Sequence, residues 1–172
     1  MDVSEAIKKY RSVKNFKPIP IPEEKLKLLL NAIRLANSIE NLQPLKFILV
    51  RDEGTKRKLM SVCNNQKFIA EAPLIVVGCG LLNEATALVG RYMVSYPIDV
   101  AIALQNLSLA CVDLGLGSCW VCDFNEEKVM EILGIPQDVK VVAIVPVGYP
   151  AEETSPESRK QLSEIISYEK YE

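Results

Sequence analysis

The sequence predicts an α+β domain, and three observations carry that reading. Segments with helical and strand-like periodicity are mixed along the chain without a strict strand–helix–strand rhythm. Three or four strands separated by helical pieces then fit an α+β sandwich at least as well as a doubly wound sheet. Of the 172 residues, 49% are hydrophobic but only 6% aromatic, so aliphatic side chains must fill the core of a single domain spanning 1–172. Finally, residues Ile98–Leu114 are apolar in nearly every direction around a helix, and such a helix belongs inside a protein. Asp99, Asn106 and Asp113 interrupt it on one narrow stripe, and the run is too short and too polar for a membrane span.

In chain order, residues 2–10 read as a short amphipathic helix capped by Ser4 or Asp2. Arg11-Ser-Val-Lys14 follows, two cations and a hydroxyl whose simplest role is to complement the helix dipole. Pro18–Pro22 is an extended connector, and Pro22 opens a helix to about Ala36 that buries Leu26, Leu29, Leu30, Ile33 and Ala36. After the polar loop 37–41, the strand 45–50 is apolar enough for burial on both faces. A turn at 51–54 leads to a charged helix at 55–62, the amides Asn64-Asn-Gln66 and a short helix at 67–71. A strand at 74–77 comes next, then helix and loop over 83–96, then the long apolar helix. Gly115 and Gly117 stop that helix and Ser118–Cys122 reads as a strand. A helix at 126–133 and a strand at 140–147 precede a charged tail from Pro150, with a short apolar segment at 162–166.

Composition removes whole classes of function. A net charge of −2 offers no electrostatic footprint for nucleic acid, and no stretch reads as a basic membrane-surface helix. The absence of histidine removes Ser-His and Cys-His nucleophile systems and the usual general base near neutral pH, so difficult chemistry would fall to a cofactor. No apolar signal region follows the N-terminus, so the five cysteines read as reduced thiols and the location as cytoplasmic. The greasy composition, with a mean hydropathy of +0.12, points to a dimer interface.

Two motifs have bland readings. Val77-Gly-Cys-Gly-Leu-Leu-Asn83 imitates a dinucleotide fingerprint but lacks its third glycine and its acid, so it reads as a strand end turning into a loop. Cys119-Trp-Val-Cys122 falls on a strand, where residues three apart face opposite ways about 10 Å apart, too far for a disulfide. No further zinc ligands accompany the pair, so both thiols read as small packing residues.

Several weak motifs nevertheless stand in a recognisable order: Arg11-Ser-Val-Lys-Asn-Phe16, Ser38–Pro44, Asn65–Pro73, Gly115–Val121 with Phe124, and Val145–Pro150. Together they resemble the nitroreductase family of FMN-dependent NAD(P)H oxidoreductases over nearly the whole chain. The resemblance implies a nitroreductase-like fold, a central and mainly antiparallel sheet flanked by helices, in a homodimer with active sites shared between subunits. It also implies FMN as cofactor, NADH or NADPH as electron donor, and a small-molecule acceptor such as a nitroaromatic, quinone or flavin. Hydride would pass through flavin N5, so no side chain need be catalytic. A flavin-binding or storage module with little turnover is the alternative.

Carried onto this chain, the resemblance assigns Arg11, Ser12 and Lys14 to the ribityl chain and pyrimidine edge of FMN. Ser38 and Asn41 would reach in from the other subunit, and Gln66 would hydrogen-bond the ring carbonyls. The backbone at Trp120, Val121 and Cys122 would run beside the ring with an N–H directed at N5. Arg159 would hold the phosphate, with Lys160 as a helper. Against the family pattern, Tyr10 stands where many members have arginine and Leu45 where tryptophan is common. Cys122 lies at or next to a frequent glycine, which would bring its thiol near the flavin. The short 83–96 stretch implies an open acceptor pocket.

Overall fold

The computed structural model describes residues 1–85 and 89–171. Residues 86–88, within the expected helix-and-loop stretch 83–96, lie outside the described residues; around them stand a 3-10 turn at Leu82–Glu84 and a bridge between Val89 and Met93.

The described strands are β1 (Leu45–Val50), β2 (Leu74–Leu81), β3 (Gly117–Ser118) and β4 (Val139–Gly148), and the helices α1 (Val3–Lys9), α2 (Glu23–Arg34), α3 (Glu53–Val62), α4 (Phe68–Glu71), α5 (Tyr96–Asp113) and α6 (Glu126–Leu133). The strands form one sheet in the order β1-β2-β4-β3. Every strand pair in it is antiparallel, which removes the doubly wound alternative. Helices cover both faces. Leu74 and Val76 of β2 pack with α2 and α5, while Ile75, Val77 and Cys79 pack with α3, α4 and α6. An apolar strand buried on two sides thus still alternates. Between Gly78 and Cys79 the register slips, Gly78 facing Ala143 and Cys79 facing Val141, so Val142 is the extra residue of a β-bulge.

Local signals set the helix ends. Asp2 caps α1 by accepting from the Glu5 N–H at 2.8 Å, Asp52 caps α3 from the Thr55 N–H at 2.7 Å, and Asn125 caps α6 from the Lys128 N–H at 3.0 Å. Gly115, at φ +70°, takes the left-handed position that ends α5. On α2, Leu26, Leu29 and Ile33 are buried, with Leu30 and Ala36 half-buried at the margin. The polar stripe of α5 divides along its length: Asp99 is buried, Asn106 half-buried and Asp113 exposed.

Three expectations are corrected. The Val77-Gly-Cys-Gly segment does not leave the sheet: β2 continues to Leu81. Its glycines are there because α5 crosses close by. A Cβ on Gly78 would stand 2.8 Å from Val100 Cγ1, and one on Gly80 would collide with the Tyr96 side chain. The strand expected at 118–122 is only Gly117–Ser118 plus a separate bridge from Val121 to Ile144. Between them, Cys119 faces Pro146, which has no N–H to complete the ladder. Cys119 is buried but Cys122 is exposed, so the packing reading holds for the first thiol alone. Finally, β1 is an edge strand; it touches both cores, but only Val50 is fully buried and Leu49 is exposed.

Candidate functional site

After α1 the chain runs alongside β3. The Val13 N–H donates to the Ser118 carbonyl at 3.0 Å, and Ser12 bridges Ser118 in parallel. Arg11 turns back onto α1, its Nη1 donating to the Lys8 carbonyl at 2.8 Å and the Tyr10 carbonyl at 2.6 Å. This is the dipole-complementing role expected of a basic helix end, and it engages one nitrogen of the guanidinium. The start of the tail is pinned to the same segment, since Phe16 bridges Pro150 and the Ala151 N–H donates to the Asn15 carbonyl at 3.0 Å. That placement carries Arg159 across to Arg11: both line a groove of about 400 Å³, with Tyr10, Gln105 and Glu157. Arg159 Nη1 donates to Glu157 Oε2 at 3.1 Å, and both side chains are exposed.

A second, open and mostly apolar groove of about 610 Å³ runs along α5 past Pro97, Ile98, Ala101 and Ile102 to Trp120. Gln105 lines both grooves, so the cationic one and the apolar one adjoin. Trp120 is fixed by its indole N–H, which donates to Ser108 Oγ at 3.1 Å, while Ser108 itself donates to the Leu104 carbonyl at 2.9 Å. Burial raises the Tyr10 phenol above its ordinary value, partly offset by the hydroxyls of Ser108 and Ser12. Burial also raises the Cys119 thiol, against the pull of the Lys14 ammonium and the Ser12 hydroxyl. Ser12 and Lys14 therefore stand over the same turn as Cys119. The Ser118 hydroxyl, 1% exposed, makes no hydrogen bond.

Gln66 arrives from the other side of the Trp120–Cys122 turn. Its Nε2 donates to the Cys63 carbonyl at 3.1 Å, at the end of a loop whose Asn64 and Asn65 both have φ of 54°. Asn64 Nδ2 donates to Asp123 Oδ2, and the Asn125 N–H donates to the Val62 carbonyl at 3.0 Å, so this loop is strapped to the residues just after Cys122. The Val121 N–H is consumed by the Ile144 carbonyl at 2.9 Å, and the Val121 carbonyl accepts from Ile144 at 3.0 Å. Among the described residues the backbone N–H groups of Trp120 and Cys122 make no hydrogen bond, so any N–H offered to a ligand here comes from them and not from Val121.

The structure brings Arg11 and Arg159 to one groove and Trp120 to the adjoining one, with Ser12 bridged to Ser118 two residues before Trp120, while Lys14, Gln66 and Cys122 line neither groove. Lys160 is exposed and makes no ion pair among the described residues. Ser38 stands at the N-cap and Asn41 at the end of a 3-10 turn at Ile39–Asn41, and no described hydrogen bond joins them to the others. Gln105 and Ser108 were not singled out by the sequence. Their signal was present, as polar side chains on an otherwise apolar helix, but the stripe of Asp99, Asn106 and Asp113 drew the attention.

Comparison with known proteins gives a consistent result. A model of the nitroreductase family matches residues 7–85 and 60–149. An NADH dehydrogenase of Thermus thermophilus is 31% identical, covering 96% of this chain and 95% of its own. An FMN reductase [NAD(P)H] of Bacillus subtilis is 24% identical, over 99% of this chain and 74% of that protein. Among solved structures, a nitroreductase family protein of Clostridium difficile 630 superimposes with a TM-score of 0.90 at 31% identity, covering 99% of this chain and 100% of the other.

Proposed function

The chain belongs to the nitroreductase family, and from that premise we propose that it is an FMN-dependent oxidoreductase that draws electrons from NADH or NADPH and passes them to a small acceptor. The carrying observation is the pair of adjoining grooves, one cationic with Arg11 and Arg159, one apolar and ending at Trp120. This pairing suits a ligand with a dianionic phosphate at one end and a flat heteroaromatic ring at the other. FMN, when bound, would supply the two-electron hydride chemistry, for which no histidine acid or base is needed.

The residues then have physical tasks. Arg11, which the resemblance alone set at the ribityl chain and pyrimidine edge, shares a groove with Arg159 and has Nε and Nη2 left for a phosphate after capping α1. Arg159 Nη1 donates to the Ser158 carbonyl at 3.1 Å and to Glu157 in an exposed pair, and such surface pairs are worth about 0–1 kcal/mol, so little opposes its turning to a phosphate. Ser12 and Lys14 face the ribityl and pyrimidine side, where a cation stabilises negative charge on a reduced ring. Gln66 adds a hydrogen-bonding amide, and the N–H groups of Trp120 and Cys122 are the backbone donors beside the ring. Lys160 assists Arg159. The apolar wall of α5 excludes water and orients the stacked donor or acceptor.

Ser38 and Asn41, which no described hydrogen bond joins to these residues, serve the second site of a homodimer. Exposed apolar side chains on α1 (Ile7), α2 (Leu28, Leu35) and the tail (Leu162, Ile165) accord with that assembly. No described helix is long and apolar enough to cross a membrane. The free cysteines accord with a reducing compartment, and we assign the protein to the cytoplasm.

The test is the visible spectrum of the purified protein before and after anaerobic addition of NADH or NADPH, followed by steady-state turnover with a quinone or nitroaromatic. Flavin absorbance that bleaches with the nicotinamide and returns with the acceptor is the expected result. A colourless protein that takes up no FMN overturns the proposal, and a yellow one with negligible turnover favours flavin storage.

A further inference from the structure

Asp99 is the one fully buried carboxylate among the described residues, in the first turn of a helix that is otherwise almost wholly apolar. Its Oδ1 accepts from the Ile39 N–H at 2.8 Å, while its Oδ2 has no partner. No described cation pairs with it. The N-terminal end of α5 eases the charge somewhat, yet a buried carboxylate with a single hydrogen bond and no counter-ion costs stability. A hydrophobe at this position would suit the fold better. What the carboxylate holds is unusual in turn: Glu40, Asn41 and Gln43 have φ of 54°, 56° and 52°, a conformation that side chains other than glycine and asparagine adopt at a cost. Within the loop the Asn41 N–H donates to the Ser38 carbonyl, the Leu42 N–H to the Ile39 carbonyl and the Gln43 N–H to Ser38 Oγ at 3.0 Å, while the bond from the Ile39 N–H to Asp99 is the one that ties this turn to α5 among the described residues.

We infer that Asp99 is a positioning residue for the flavin site: its buried carboxylate clamps the Ser38–Gln43 loop in the left-handed conformation from which Ser38 and Asn41 reach FMN across the dimer. The inference rests on the reading of those two residues as FMN contacts. It explains why a destabilising charge is kept at the root of the longest helix. The carboxylate supports the shape of a neighbouring loop and not the helix that carries it.

Titration of apoprotein with FMN, followed by quenching of flavin fluorescence, tests this alongside urea unfolding of the same apoproteins. Asp99→Asn retains an acceptor for the Ile39 N–H and loses the charge, so it binds FMN within about threefold of wild type and unfolds at the same or higher urea. Asp99→Ala leaves the loop unclamped and weakens FMN about tenfold or more, the scale of one charge-assisted hydrogen bond. Asn41→Gly, which keeps the left-handed backbone and removes the side chain, weakens FMN as well. If Asp99→Ala fails to fold, Ile39→Pro deletes the same hydrogen bond from the loop side and takes its place. Wild-type affinity in Asp99→Ala with a defect in Asn41→Gly overturns the role of Asp99 and leaves the loop reading standing. Wild-type affinity in both overturns the loop reading and the inference with it. Equal losses of FMN affinity and urea resistance in Asp99→Asn and Asp99→Ala would make the residue merely structural and also overturn it.

Discussion

Where α5 crosses β2, helix and strand approach until only glycine fits at positions 78 and 80, and Val100, Leu104 and Leu107 have no exposed surface. From Ala151 to Tyr171 the same chain buries nothing, although Leu162 is 70% exposed, Ile165 62% and Tyr168 81%. The first region satisfies itself within one subunit. The second carries hydrophobic groups whose cover has to come from elsewhere, and it carries Arg159. Half of the proposed flavin site is thus anchored to a self-sufficient core and half to a segment outside it. Stability and cofactor binding should therefore respond to different substitutions.

The largest effect that sharpens the contrast is alkaline. Burial raises the thiols of Cys63 and Cys79 to about 11 and that of Cys111 to about 12, above the ordinary 9. A folded-state value above the unfolded one gives stability that is complete below pH 9 and lost as pH climbs toward the folded values, because the unfolded chain releases protons that the folded chain keeps. Each thiol contributes about 1.4 kcal/mol per pH unit across that window. Urea midpoints should fall steeply between pH 9 and 11, and Cys111→Ala should flatten the fall; a flat profile in wild type would break the picture of a sealed core. Next, Gly80→Val should cost about 3 kcal/mol or more by urea unfolding, since the added atoms collide with the Tyr96 side chain from its Cβ outward.

Arg11→Ala acts at the groove that Arg11 shares with Arg159 of the tail. It should weaken FMN by about 1.5–3 kcal/mol in a titration, with a smaller loss of fold stability from the α1 carbonyls it caps. The smallest effect on the core comes from Leu162→Ser combined with Ile165→Ser. Near-UV circular dichroism should be unchanged while sedimentation shifts from dimer to monomer. A collapse of the dichroism instead would mean that the tail belongs to the core after all.

Long-range order was legible where side-chain pattern is dense. The apolar run of α5, the stop at Gly115 and the cap Asp2, one of two candidates with Ser4, announce themselves. The end of β2 did not, because Gly78-Cys-Gly80 carries loop-like residues for a reason that lies in α5 and not in the strand. The break after Ser118 depended on Pro146, a residue of another strand. The site was harder still: nothing in local spacing brings Arg11 to Arg159, and only the family resemblance paired them before the tail was seen pinned at Asn15. The Val121 N–H was expected among those available to the ring, yet its partnership with Ile144 is a matter of tertiary register.

One consequence of the two-faced sheet concerns how such a chain can change over time. Ile75 and Val76 are neighbours in sequence but belong to separate cores, one with α3, α4 and α6, the other with α2 and α5. A cavity opened in one core does not enlarge the other, so losses on opposite faces should add with little coupling. Each layer of helices is then free to drift on its own, its substitutions compensated by nearby partners without renegotiation across the strands. A chain built this way can keep its outline while about two-thirds of its sequence diverges, as in the Clostridium difficile structure that superimposes with a TM-score of 0.90 at 31% identity.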